Sequence, residues 1–417
     1  MVDGPARGAG EGGAARAPGR AVVRFLARFL GAADREVLWW YLLTRVAVAT
    51  TAYCTPWLFP SDPGARDPGP FLAPFQHWDW NHYLNIARDG YFPGGNGPWT
   101  PGWDNREAFF PGFPLALRAV HTVLPDWTVA GLTVSFAAGA VAVVALARIA
   151  RLHLPVADAS RDASLDGSRR ADVGRRAVLF LLLSPCAIFL ALGYTEALFL
   201  ALALPAWLAA HNRHWPLATA LTALATCVRV SGLFLAAALA LHFVLTARTR
   251  SQWRRAPWLA LPALPAVLHS AYLHAHTGDW MAWKHAEERG WYRTFHPPWE
   301  AWRNTWHSAF GHHQTTGYAV MFQAELAAMV VGLVLLVFLI RRRSWPEALY
   351  IALTLWALGT SYWFMSVPRA TLLWWPLWVH LAVRSTRTPK LGALYLTLSV
   401  PLTVLLAVAY LSGRWAG

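Results

Sequence analysis

Charge is scarce in this chain of 417 residues, with only 14% Asp, Glu, Lys or Arg against 56% apolar residues. A soluble domain carries about 25% charged residues. The apolar residues here gather into runs long enough to cross a bilayer, which excludes a water-soluble fold. Cysteine is scarcer still. Cys54, Cys186 and Cys227 lie in apolar segments without metal or redox spacing, so no disulfide framework is implied. No H-E-x-x-H and no D-x-D pair flanking Asp79 occurs, and no cofactor is expected, a divalent metal being the lesser alternative. Acids are short relative to bases, 22 against 36, leaving a net charge of +14. Without a basic helix or an aromatic-basic recognition motif, that excess does not point to nucleic acid. Internal repeats are also lacking.

What is present is an alternation of apolar runs with polar stretches rich in Trp, His and Pro, giving a mean hydropathy of +0.32. Residues 1–36, rich in Gly, Ala and Arg, have no apolar core followed by a cleavage site. They read as a disordered basic cytoplasmic tail, with a short amphipathic helix at 21–29. The remainder, 37–417, reads as one all-α, polytopic membrane domain of about eleven spans, within bounds of about nine to thirteen. The first two spans are expected near 37–59 and 127–149, and later ones near 256–273, 319–340, 348–364, 371–383 and 391–411. Polar segments at about 60–126 and 275–317 would lie outside. Roughly two thirds of the 36 Lys and Arg residues then fall on one side, which places the N-terminus in the cytoplasm.

Between 177 and 245 the apolar sequence is nearly continuous, broken at Tyr194-Thr195-Glu196, His211 to Trp215 and Arg229-Val230-Ser231-Gly232. Four short helices of about 15 to 18 residues result, or about 22 to 27 Å, short against a hydrocarbon core of about 30 Å. The turns carrying Glu196 and Arg229 are therefore expected to be recessed and to line a cavity.

The segment His77 to Tyr91, HWDWNHYLNIARDGY, places Trp78, Trp80, Tyr83 and Ile86 at near-helical spacing, as in an interfacial helix. Asp79 would sit beside lipid, where desolvation raises a carboxylate's pKa and suits it to general-base work. An exposed acid on an amphipathic anchor is the competing reading. The segment 105–117, NREAFFPGFPLAL, would end that loop by dipping into the interface.

The strings WDWNHYLNIARDGY at 78–91 and FFPGFPL at 109–115 resemble the PIG-V family of mannosyltransferases, whose bacterial relatives share the GT-C membrane glycosyltransferase fold. SPCAIFLALGYTEALF at 184–199, VRVSG at 228–232 and TGDWMAW at 277–283 are similar too. The resemblance implies a polyprenyl- or dolichyl-phosphate-mannose donor and an extracytoplasmic active site. It also implies inverting transfer with the first-loop aspartate, here Asp79, as base. The acceptor could be a glycan, a lipid or a protein. The Arg- and Ala-rich composition points to a bacterial plasma membrane.

Displacement of a sugar from phosphate needs cations at the leaving group. Arg229 is the first candidate, because an unpartnered arginine within the membrane costs about 2.5 to 3.5 kcal/mol. An ion pair with Glu196 would satisfy it equally, and both readings stay open. Arg369, in SVPRAT, is the second candidate, against an interfacial arginine that snorkels to headgroups. Arg88 and Arg106 are weaker. Trp78, His82, Tyr194, Glu196, Asp279 and Arg293 are the residues expected to touch substrate. The second loop, with Trp280, Trp283, Trp291, Trp299, Trp302 and Trp306, reads as a substrate lid or as an aromatic belt among membrane lipids. A lipid-linked sugar transporter and a non-catalytic membrane partner are the competing functions.

Overall fold

The computed structural model describes residues 30–59, 69–153 and 163–417. The expected helix at 21–29 and most of the tail lie outside them. Among the described residues every regular element is helical, in keeping with the all-α expectation. Three helices are long and apolar enough to cross a membrane, Trp127–Leu152, Thr316–Arg341 and Pro389–Leu411, joined by shorter apolar helices at Thr195–His211, Trp215–Val228 and Ser231–Thr246. The protein is thus an integral membrane protein.

In chain order the helices are α1 (Ala32–Leu58), α2 (Asp79–Asp89), α3 (Gly112–His121), α4 (Trp127–Leu152), α5 (Ala163–Leu182), α6 (Thr195–His211), α7 (Trp215–Val228) and α8 (Ser231–Thr246). They continue with α9 (Leu264–Thr277), α10 (Ala282–Trp291), α11 (Pro298–Phe310), α12 (Thr316–Arg341), α13 (Trp345–Gly359), α14 (Trp375–Arg387) and α15 (Pro389–Leu411). The expected span at 256–273 is divided between a 3-10 stretch, Ala256–Ala263, and α9. Pro262 and Pro265 withhold the N–H groups that would continue one α-helix across the division.

Helix α4 shows how the core is made. The Asp126 side chain accepts the Val129 N–H at 2.9 Å and caps its start. Ala130, Gly131, Val134, Ser135, Ala138, Ala142 and Leu146 then recur every three or four residues on its buried face. Lipid is as apolar as leucine, so helices in a membrane gain by close contact rather than by leaving water, and small residues permit that contact. Tyr41 of α1 accordingly lies against Gly139, and its hydroxyl donates to the Phe136 carbonyl at 2.9 Å. Helices α5 and α6 also pack against α4. At one end of the α1–α4 contact, buried Asp34 accepts from Arg148 at 2.8 Å and Arg151 at 2.9 Å.

The first loop departs from expectation. Trp80, Tyr83 and Ile86 face protein, at 1%, 4% and 4% exposure, and Trp78 alone of the four apolar residues is substantially exposed. Helix α2 is therefore a buried strut, because its indole has a made-to-measure slot: the Trp80 ring lies against Gly131 of α4 and Gly193, where a Cβ would overlap it. Gly193→Ala is expected to destabilise the protein by about 1 to 3 kcal/mol through overpacking. Thermal unfolding in detergent reads the effect, and the companion change Trp80→Phe should recover part of it. An unchanged midpoint for Gly193→Ala would refute the slot.

Candidate active site

Asp79 is the first residue of α2, and Trp78 before it takes a left-handed backbone with φ 56° and ψ −124°. A bulky residue there stores about 1 to 3 kcal/mol of strain, which surrounding contacts must hold. The contacts are visible one residue earlier. The His77 carbonyl accepts the Tyr194 hydroxyl at 2.8 Å and the Tyr410 hydroxyl at 3.1 Å. Tyr194 comes from the turn before α6 and Tyr410 from the end of α15, so two distant segments fix where α2 begins.

Two turns line the same cavity as Asp79. Helix α7 ends where Arg229 turns extended, and α8 restarts at Ser231, a tight reversal that packs Gly232 against the backbone of Thr226. Helix α6 begins at Thr195, with fully buried Glu196 in its first turn. Arg229 donates to Glu196 Oε1 at 2.6 Å and to the Thr195 hydroxyl at 2.5 Å. The ion pair left open by the sequence is therefore present.

Arg369 completes the group. It lies in the one-turn helix Val367–Ala370. Its Nε donates to Glu196 Oε1 and its Nη1 to Asp79 Oδ2, both at 2.6 Å, while the guanidinium lies over the rings of Phe189 and Tyr194. At 7% exposure it is no arginine snorkelling to headgroups, because two carboxylates hold it inside. Asp79, Arg369, Glu196 and Arg229 form a chain of alternating charge whose formal charges cancel.

That chain reverses the expected pKa of Asp79. Burial alone pushes the carboxyl up, but the charge and hydrogen bond of Arg369, with smaller help from His82 and Arg229, outweigh it and hold Asp79 below the usual carboxylate range. Asp79 is thus ionised and engaged. Its side chain is 23% exposed and, with both arginines, lines a cavity of about 510 Å³.

Trp78, Tyr194 and Arg293 also line this cavity. The turns at Tyr194–Thr195 and Arg229–Val230 both line it, as expected from the breaks in the apolar sequence. His82 and Asp279 do not line it. His82, one turn after Asp79, stacks on Phe109 at 4.7 Å, and burial holds it below the usual imidazole range. Asp279 accepts from His285 at 2.6 Å; burial pushes its carboxyl up, but the bonds from His285 and the Met281 N–H bring it below the usual range. Arg88 is spent on neighbouring Asp89, and Arg106 on Asp104 and the Gly90 carbonyl.

Glu287 of α10, a charged residue of the second loop that is not among the residues expected to touch substrate, lines the cavity and pairs with Arg293 at 2.9 Å. Burial raises its pKa, Arg293 opposes that, and Asp79 adds to it. Tyr83 was read only as apolar bulk, yet it faces the cavity as well. Trp283 and Trp291 of the second loop line the wall, whereas Trp299 is 71% exposed. Among the described residues, no three His, Cys, Asp or Glu side chains converge as metal ligands.

Residues 69–251 match the family model described as mannosyltransferase (PIG-V). GPI alpha-1,6-mannosyltransferase 2 of Mus musculus is 30% identical over 155 residues, covering 36% of this chain and 27% of the mouse protein. The Homo sapiens protein of that name is 33% identical over 173 residues, covering 39% of this chain and 30% of the human one. The matched region thus spans less than a third of these relatives' length. It includes Asp79, Tyr194, Glu196 and Arg229, whereas Glu287, Arg293 and Arg369 come from beyond it. The stretch that supplies Asp79, Glu196 and Arg229, three of the four members of the charge chain, is the stretch over which this chain is similar to the PIG-V mannosyltransferase family.

Proposed function

We propose that this protein transfers mannose from a polyprenyl-phosphate-linked donor to an acceptor hydroxyl, with inversion, on the extracytoplasmic side of a GT-C-type fold of about eleven spans. The observation that carries the reading is the bond between Arg369 and Asp79, which puts a phosphate-binding group and a base within one contact of each other. Donor, acceptor and water-excluded space are all needed for such a transfer, and the cavity of about 510 Å³ has aromatic walls and a charged floor.

In this mechanism the donor phosphate takes up the guanidinium groups of Arg369 and Arg229. The acceptor oxygen attacks the anomeric carbon from the opposite face, the bond from that carbon to phosphate oxygen breaks, and the hydroxyl proton passes to Asp79. The leaving polyprenyl phosphate gains the negative charge that Asp79 loses. Total charge in the site is conserved, and the arginines need only follow it. An aspartate held by Arg369 is a weak base. When phosphate draws that guanidinium away, burial dominates and the pKa of Asp79 climbs, so the base strengthens only in the loaded enzyme.

The pH dependence tests this. A carboxylate with a depressed pKa keeps its charge until the pH falls below the ordinary carboxylate range. The acid limb of kcat/KM, which reports the free enzyme, should therefore lie lower than the acid limb of kcat, which reports the complex. The assay uses the full chain in proteoliposomes with polyprenyl-phosphate-mannose, and mass spectrometry identifies the glycosylated product. Relocation of the labelled lipid without a new product would mean transport, and coincident acid limbs would remove the exchange of partners at Arg369.

A further inference from the structure

We propose that Glu325 is a positioning residue, which sets the place from which Arg369 reaches Asp79 and Glu196. Glu325 lies in α12, one of the long apolar helices, at 1% exposure. An unsatisfied carboxylate there would be costly, and among the described residues no Lys or Arg pairs with it. Its two oxygens instead accept two backbone donors, the Ser366 N–H at 2.7 Å and the Val367 N–H at 2.8 Å. These are the N–H groups at the entrance to the turn Val367–Ala370, whose next residue, Pro368, has none to offer. Ser366 is held in a left-handed conformation, φ 64°, so the chain reverses sharply at the carboxylate, and Arg369 follows three residues later.

The geometry explains why a carboxylate is needed here. Two donors converge from adjacent peptides, and glutamate presents two acceptors in one plane. Glutamine presents one acceptor and turns an N–H₂ toward the other peptide N–H. The Arg369 fork makes two bonds of 2.6 Å to carboxylates on different elements, Asp79 of α2 and Glu196 of α6, so its backbone has little latitude. A membrane-spanning helix thereby fixes the height of a guanidinium through the backbone of the turn that carries it.

The inference rests on the proposed transfer only for its kinetic consequence, so the experiment has two arms. In the first, purified full-length protein in detergent is treated with phenylglyoxal, and modification of Arg369 is followed by mass spectrometry. Arg369 should resist in the wild type and react about tenfold faster in folded Glu325→Gln, a loss of protection worth about 1.4 kcal/mol. In the second, Glu325→Gln should raise KM for polyprenyl-phosphate-mannose and lower kcat, leave KM for the acceptor unchanged, and add nothing to Arg369→Lys. Should Glu325→Gln fail to fold, Glu325→Asp, which keeps both acceptors but withdraws them by one methylene, serves instead with the same expected changes. Unchanged Arg369 labelling in a folded variant overturns the proposal, as do effects fully additive with Arg369→Lys. Absence of transfer by the wild type would sink the proposed function, while the labelling arm would still decide the role of Glu325.

Discussion

Replacing Asp79 by Asn should lower kcat by at least about 10²-fold, the ordinary contribution of the general base proposed here, while the protein still folds and inserts. Asparagine keeps an oxygen that can accept from Arg369 Nη1, where the native bond is 2.6 Å long. Arg369 also retains Glu196. The cavity should thus keep its shape and lose only the group that takes a proton. The measurement is single-turnover transfer from polyprenyl-phosphate-mannose, with membrane yield and thermal unfolding as controls. Turnover within a few-fold of the wild type would take Asp79 out of the reaction.

Arg369→Ala should be as damaging, for a different reason. It deletes the one ion pair that the Asp79 carboxylate makes among the described residues, and one of two guanidinium partners of Glu196 there. Burial then acts on Asp79 without its main opposing charge, and its pKa should rise above the ordinary carboxylate range. Loss of a donor aimed at developing negative charge typically costs about 10² to 10³ in rate. Donor KM should rise with it, because the phosphate loses one of its two cations, whereas acceptor KM should move little. Arg369→Lys restores the charge but has no fork with which to span two carboxylates, so it should recover stability more than rate. Donor kinetics unchanged in Arg369→Ala would mean that the arginine is a structural ion pair alone.

Arg229 is less exposed to such a test, because the sequence had already found its alternative partner. Glu196 and Arg229 stand at two breaks in one apolar stretch, and breaks at that spacing must fall at the same level of a helical hairpin. Recessed turns in lipid need partners, so their convergence could be reasoned from helix length alone. Arg369 could not be reached that way. It lies 290 residues from Asp79, and an arginine at the edge of a late span has the same local sequence whether it meets headgroups or two buried carboxylates.

The pKa of Asp79 shows the same limit. Aromatic neighbours in the sequence correctly imply desolvation, which is the largest single influence on that carboxyl. The direction of the net shift depends on a guanidinium delivered by another part of the chain. Likewise, Trp80, Tyr83 and Ile86 form one face of a helix by spacing, but spacing does not say whether lipid or protein covers it. Gly131 and Gly193 decide that by leaving room for an indole.

Composition and periodicity were enough to make this an all-helical membrane protein, and two short motifs were enough to relate it to PIG-V mannosyltransferases, because hydrophobic runs and local strings are properties of neighbouring residues. The alternating charges around Asp79, the tyrosine hydroxyls that pin His77 and the carboxylate of Glu325 beneath Arg369 came only with the tertiary structure. Each joins groups far apart in the chain, and electrostatic energy depends on distances in space that one-dimensional order does not contain.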